Sequence, residues 1–231
     1  MSFFQSLILI LNFILLFAAC AFAAPQTGSF TDSRDGKTYK TVSIGKQTWM
    51  AENLDYEYNE GSAKSHCNSS ESRNCDKYAR LYTWDAAMNV CPEGWHLPDT
   101  VEWNALLKFV GNGLECTKEC YVPDGCNVFC ENVGKKLKST VDWKDRRGER
   151  LWDESGNGTD AFGFAALPVD TELYTGLYTR FWSSVERAPL FNPDNHDYAY
   201  CLLLSNDYDG ALLANYVKSL KCSVRCIKNP S

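Results

Sequence analysis

Cys91-Pro92-Glu93-Gly94-Trp95-His96-Leu97-Pro98 is the stretch from which the fold is read. Its two prolines fix φ and its glycine frees a turn, so the chain enters the next element in a set direction. That element starts at once. Asp99 and Glu102 have capping-box spacing, with Asp99 as N-cap and Glu102 reaching back from the first turn. Trp103, Leu106, Leu107 and Val110 follow at helical spacing, and Gly111 closes the helix.

On the N-terminal side, Leu81 to Val90 predicts a short helix with Trp84, Ala87 and Met88 on one side. Asn59 to Asp76 is polar, holds Cys67 and Cys75, and reads as a surface loop. Further back, Asp35-Gly36 signals a hairpin, and Ile44-Gly45-Lys46 turns between strands at Lys37 to Ile44 and Gln47 to Ala51. On the C-terminal side lie a cysteine-dense insertion, Glu115 to Cys130, and a short helix around Glu131 to Lys138. Trp143 to Trp152 is charged and aromatic, Gly156 to Asp160 is rich in turn residues, and Ala161 to Pro168 is apolar. Phe181 to Val185 and Tyr198 to Ser205 read as strands; Ala211 to Val217 and Lys221 to Ile227 read as a final hairpin about Lys218-Ser219. There is no heptad pattern, solenoid-length repeat or long linker. The pattern predicts one α+β domain of short antiparallel strands with two or three helices, disulfide-rich.

The chain has 231 residues, enough for a sizeable core. Lys+Arg number 23 against Asp+Glu 29, a net charge of −6, and no basic face offsets it, so nucleic acid is not an expected partner. Residues 1–23 read as a cleaved signal peptide: Leu7 to Ala19 is apolar apart from Asn12, and Ala21-Phe22-Ala23 supplies the small-x-small site. Leu16-Phe17-Ala18-Ala19-Cys20 partly matches a lipobox, with lipid on Cys20 as the alternative. Leu7 to Ala24 approaches the roughly 20 apolar residues of a membrane anchor. Membrane contact is expected only through the leader or that lipid; the location is secreted or cell envelope. Of the eleven cysteines, Cys20 lies in the leader and an even ten remain, which in an exported chain reads as a disulfide framework. Cys116, Cys120, Cys126 and Cys130 match zinc-knuckle spacing poorly.

The motifs resemble those of the Fibrobacter succinogenes major paralogous domain, a bacterial family of exported proteins. They are Asp35 to Tyr39, Ile44 to Leu54, Leu81 to Met88, Cys91 to Pro98, Gly158 to Pro168, Phe181 to Ser184 and Ser223 to Lys228. They occur in order across residues 28–228, with the segment at about 115–130 and the loop around Cys67 as additions to the common core. The resemblance implies a C-type-lectin-like architecture of the kind shared with formylglycine-generating enzymes, and no established activity. It also suggests bridges. Cys91 and Cys226 lie in shared motifs and pair; Cys201 and Cys222 flank the last strands; Cys67 pairs with Cys75; Cys116, Cys120, Cys126 and Cys130 pair among themselves.

Catalytic signatures are missing: there is no G-x-S-x-G, no H-E-x-x-H and no phosphate-cradling loop. His96 reads as a satisfied core histidine, and His66 and His196 lie in polar loops. Asp153, Asn157 and Asp160 place oxygen ligands ahead of glycine as a calcium loop does, yet Phe164 stands where an EF-hand needs Glu. Asp207-Tyr208-Asp209-Gly210 fails in the same way, and Asn192-Pro193-Asp194-Asn195 partly matches a lectin sugar-binding triplet. Calcium is thus the one cofactor considered. The chain has 7 Trp, 12 Tyr and 12 Phe. Trp49, Trp84, Trp95, Trp103 and Trp182 read as core, whereas Tyr174, Tyr178, Tyr198, Tyr208 and Tyr216 lie in or beside variable loops and are the recognition candidates. The expectation is a non-enzymatic exported recognition module that binds an extracellular polymer, polysaccharide first, or a surface protein. The alternatives are a formylglycine-generating-enzyme-like oxidoreductase, which needs reactive cysteines, and a structural envelope protein.

Overall fold

The computed structural model describes residues 25–67, 73–113, 116–121, 125–144, 156–170, 175–187 and 197–230. Its first sheet begins with an antiparallel meander of β1 (Gln26–Thr31), β2 (Thr38–Ile44) and β3 (Gln47–Met50). Ile44 pairs with Gln47, leaving Gly45-Lys46 as a two-residue turn. Gly45 has φ 63° and faces Phe109, whose ring would lie 2.9 Å from an added Cβ, so both backbone and space require glycine there. The other hairpin is wider than its Asp35-Gly36 signal suggests, because buried Asp32 accepts from the Arg34 amide and guanidinium and holds open the turn from Thr31 to Thr38.

The third sheet is built from β4 (Asn59–Glu60), β5 (Ala63–His66) and β6 (Leu81–Tyr82), with α1 (Arg73–Tyr78) between β5 and β6. The segment expected to be a plain loop therefore carries two short strands and a helix. α2 (Trp84–Val90) follows, capped by the Thr83 hydroxyl, and buries Trp84, Ala86, Ala87 and Val90. Met88 points outward, 43% exposed, because the buried stripe runs one position off the expected one. β7 (Trp95–His96) leads into α3 (Thr100–Val110), where both capping-box bonds form at 2.7 and 2.9 Å. The buried face of α3 is Trp103, Leu106, Leu107 and Val110, each leucine contributing about 2 kcal/mol by leaving water.

The insertion folds as a hairpin of β8 (Thr117–Tyr121) and β9 (Gly125–Cys130), and α4 (Val133–Leu137) follows it. The second sheet contains β10 (Tyr178–Glu186), β11 (Tyr198–Ser205) and β12 (Ala211–Val217), in the order β10-β11-β12-β9-β8. The insertion thus extends this sheet at its β12 edge. The last strand is β13 (Ile227–Lys228), and the first sheet runs β1-β2-β3-β13-β7. Every paired strand is antiparallel, and four helices occur among the described residues, which makes the domain α+β.

Lys221 to Ile227 does not fold back on β12 as expected. Cys222 bridges to Tyr82, Ser223 to Phe181, and Ile227 sits between Trp49 and His96. The segment is drawn away by the Cys91–Cys226 disulfide and by buried Arg225. Cys67–Cys75 and Cys116–Cys130 are also bridged. Cys120 and Cys126 stand opposite each other in the β8–β9 register, and their side chains lie outside the described residues. Cys201 and Cys222, expected as a bridge, are two buried thiols whose sulfurs are 3.8 Å apart. Two clusters make the core. Trp49 and Trp103 lie 4.7 Å apart beside Phe164 and Phe181 in one, while Trp84, Trp95 and Trp182 belong to the other. Residues 1–23, expected as a signal peptide, and Cys20 within them lie outside the described residues.

Candidate functional site

A cleft of about 870 Å³ lies between β1–β2, the Ala51-Glu52-Asn53 corner after β3, the end of α1, Ser139 to Val141, and the loop from Asp160 to Leu167. Its floor depends on that last loop. Asp160, Gly163 and Ala165 all have positive φ, at 44°, 71° and 48°, and two of them are not glycine. Such a backbone persists only where its surroundings hold it. Here the Asp160 carboxylate accepts from the Ala165 amide at 2.7 Å, and the Gly163 amide donates to the Asp160 carbonyl at 3.2 Å.

Arg225 holds the loop from beneath. Its guanidinium donates to the carbonyls of Phe164 at 2.7 Å, Ala165 at 3.2 Å and Met50 at 3.2 Å, and to Asn53 Oδ1 at 2.7 Å. It also lies over the Phe164 ring, 4.8 Å from the centroid. Asn53 extends the network by donating to the Tyr78 carbonyl at 3.2 Å. Burial pushes the Arg225 guanidinium down to about 9, against the pull of Glu52 and Asp160, so it stays charged at neutral pH. Burial raises the Asp160 carboxyl, outweighing the Ala165 amide, the Arg225 charge and the Gly163 amide.

The walls carry paired charges. Lys37 donates to the Asp55 carboxylate at 2.5 Å, Lys77 to Asp142 at 2.8 Å, and Lys40 lies 3.7 Å from Glu52. Tyr78, Val141 and Leu167 add apolar surface.

The expected tyrosines gather elsewhere. Arg180, paired with buried Asp170, lies 5.0 Å from the Tyr216 ring centroid and 5.7 Å from that of Tyr178. Tyr208 packs near Phe129, and burial raises the hydroxyls of both Tyr208 and Tyr216. Tyr178, Tyr208 and Tyr216 are half-buried, so most of their rings serve sheet packing. Tyr198 stands apart, against Arg187 at 4.4 Å. Tyr174 lies outside the described residues.

Of the calcium set, two residues are described and both are engaged with backbone amides. Asn157 Oδ1 accepts from the Trp143 amide, Asp160 turns to Ala165, and Asp153 lies outside the described residues, as does Asn192 to Asn195. Among the described residues, no group of three or more His, Cys, Asp or Glu side chains could hold a metal ion. His96 is not a core residue; it sits at the sheet edge with Nδ1 2.6 Å from Asn229 Oδ1 and Nε2 2.8 Å from Glu102 Oε1. Burial lowers His66, helped by Lys221, Lys64 and Arg80; His196 lies outside the described residues. Cys201 and Cys222 have almost no exposure, and burial holds the Cys201 thiol well above its usual value, the reverse of a reactive cysteine.

Sequence reasoning read Asp160 as a calcium ligand and did not single out Arg225, Asn53 or Glu52, which the structure places around the same loop. One signal was available: Arg225 is a lone cation in the apolar run Val224 to Ile227, and a charge so placed is buried and structural or functional.

The family model described as the Fibrobacter succinogenes major domain matches residues 42–228. That span includes the cleft loop, Arg225 and the three bridges found among the described residues. No curated protein and no solved structure matches the chain.

Proposed function

The chain belongs to the Fibrobacter succinogenes major domain family, and from that premise we propose that it is an exported recognition module on a C-type-lectin-like scaffold. Its ligand in this proposal is an extracellular polymer, polysaccharide first, held in the cleft over the Asp160–Ala165 loop. The observation that supports this reading is the cleft itself. A strained loop is held in place by a fully buried arginine at the base of a cavity within the roughly 300–1,000 Å³ typical of ligand sites. Three disulfides are compatible with an extracellular protein. No helix among the described residues is long and apolar enough to cross a membrane. The oxidoreductase alternative gains no support from Cys201 and Cys222, which neither line the cleft nor reach solvent.

The test is retention of the purified mature protein on cellulose, xylan, pectin and an envelope fraction, with calcium and with chelator. Loss of binding to all of them under both conditions would end the recognition reading.

A further inference from the structure

We infer that the cleft takes an uncharged, polyhydroxylated ligand, a neutral glycan segment, in preference to a uronate or an amino sugar. This rests on the recognition reading above and narrows it to a ligand class.

Charge balance in the cleft is the first argument. Its lining holds Lys37, Lys40, Lys77 and Arg225 against Glu52, Asp55, Asp76 and Asp160, four cations and four carboxylates. The cations are already engaged. Lys37 is on Asp55, Lys77 on Asp142, Lys40 beside Glu52, and Arg225 spends its donors on three carbonyls and Asn53. An anionic sugar would have to take a lysine from its carboxylate, leaving that carboxylate exposed to repulsion, with no gain in the number of ion pairs. A cationic sugar would meet repulsion from the fixed Arg225 guanidinium beneath the loop and from the exposed Lys40 ammonium. Ligand hydroxyls need no such exchange. They can donate to the outer lone pairs of Asp160 and Glu52 and accept from Lys40, whose side chain is 78% exposed.

Shape and polarity supply the second argument. A sugar ring presents apolar C–H faces between its hydroxyls, and a site for one needs polar and apolar wall in alternation. Val141 is 54% exposed at the rim, with Tyr78 and Leu167 also on the lining, beside the Thr140 hydroxyl and the Asp160 carboxylate. Asp160 is the contact residue in this arrangement. Arg225 is a positioning residue, acting through the loop it holds.

The experiment is calorimetric titration of the mature protein with neutral glucan and xylan hexamers, oligogalacturonate and chitosan oligomers. The parent is compared with Asp160→Asn, Val141→Glu and, away from the cleft, Tyr216→Ala. Val141 is exposed, so Val141→Glu should leave the unfolding midpoint unchanged while placing a carboxylate in the ligand's path. Supporting results are binding of a neutral hexamer over both charged oligomers, and about ten-fold weaker binding in Val141→Glu with Tyr216→Ala unaffected. A charged oligomer binding as well as or better than the neutral ones overturns the ligand class. Neutral binding that survives both cleft variants but disappears in Tyr216→Ala overturns the location. Retention of the protein by an envelope fraction without binding any glycan overturns this inference and leaves the recognition reading standing. No binding of any kind overturns both.

Discussion

Replacing Arg225 by methionine tests the structural basis of the cleft most directly. Methionine matches the length of the buried stem and removes the guanidinium. Four acceptors lose their donor: the carbonyls of Met50, Phe164 and Ala165, and Asn53 Oδ1. A buried acceptor left unpaired costs about 2 kcal/mol, so four cost about 8 kcal/mol. Against this, the variant no longer buries a charge. The fall of the guanidinium from 12.5 to about 9 corresponds to about 5 kcal/mol of burial cost that is relieved. The balance is a loss of about 3 kcal/mol, large but survivable for a domain with three disulfides. Guanidinium chloride unfolding at pH 7 reads the total, and amide exchange at Ala165 reads the loop. The Ala165 amide should exchange much faster, because its acceptor Asp160 is on the loop that Arg225 holds. A loss below about 1 kcal/mol, or an Ala165 amide as protected as in the parent, would refute the reasoning.

Three further outcomes are expected. Replacing Cys91 and Cys226 together by alanine removes a closure spanning 135 residues, worth about 5 kcal/mol in chain entropy; an unfolding midpoint close to the parent's would contradict that. Iodoacetamide should leave Cys201 and Cys222 unlabelled in the native protein and label both after unfolding without reductant, since both are buried free thiols; peptide mass mapping checks it. Because Asp160 is raised in the fold, the folded state keeps a proton that the unfolded chain has released, so its contribution falls as pH rises from 3.8 through the folded value. The stability of the parent relative to Asp160→Asn should therefore drop across that acidic window and stay level above it; a rise would show the sign to be wrong.

The parts legible in the sequence are those whose cause is local. Asp99 and Glu102 are three residues apart, so the capping box and the stripe from Trp103 to Val110 could be read directly. Tyr198 to Ser205 was legible because a long apolar strand declares its own ends. Lys221 to Ile227 was misread because its partners are distant: Tyr82, Phe181, Trp49 and His96 are all set by tertiary contact. Met88 failed for a subtler reason, since a seven-residue helix gives too few turns to phase its buried face. The tyrosines were recognisable as a group near loops, yet nothing local shows that Arg180 draws Tyr178 and Tyr216 onto the sheet. The cleft was illegible because its lining is contributed by at least five separate stretches of chain.

The segment from Cys222 to Lys228 explains why a cleft so dispersed in sequence is nonetheless one rigid object. Cys222 exchanges amide and carbonyl with Tyr82 of the third sheet, and the Ser223 carbonyl takes the Trp182 amide from the second. The Val224 carbonyl accepts from Leu54, and the Cys226 carbonyl accepts from Met50 at the end of β3 in the first. Cys226 is bonded to Cys91, and Ile227 fills the gap between β3 and β7. Arg225 sits at the centre of that run, so its side chain is aimed by the bonds that Cys222, Ser223, Val224, Cys226 and Ile227 make to other segments of the fold. The loop depends on this segment being docked, because the Arg225 guanidinium holds the carbonyls of Phe164 and Ala165 within it. A ligand bound in the cleft, as proposed, would therefore be coupled to the whole assembly and should raise the global unfolding free energy rather than that of one loop. The hairpin at Thr117–Cys130 and the strands near Cys67 stand outside this run. Neither contributes a residue to the cleft lining, so both can vary while its floor stays fixed.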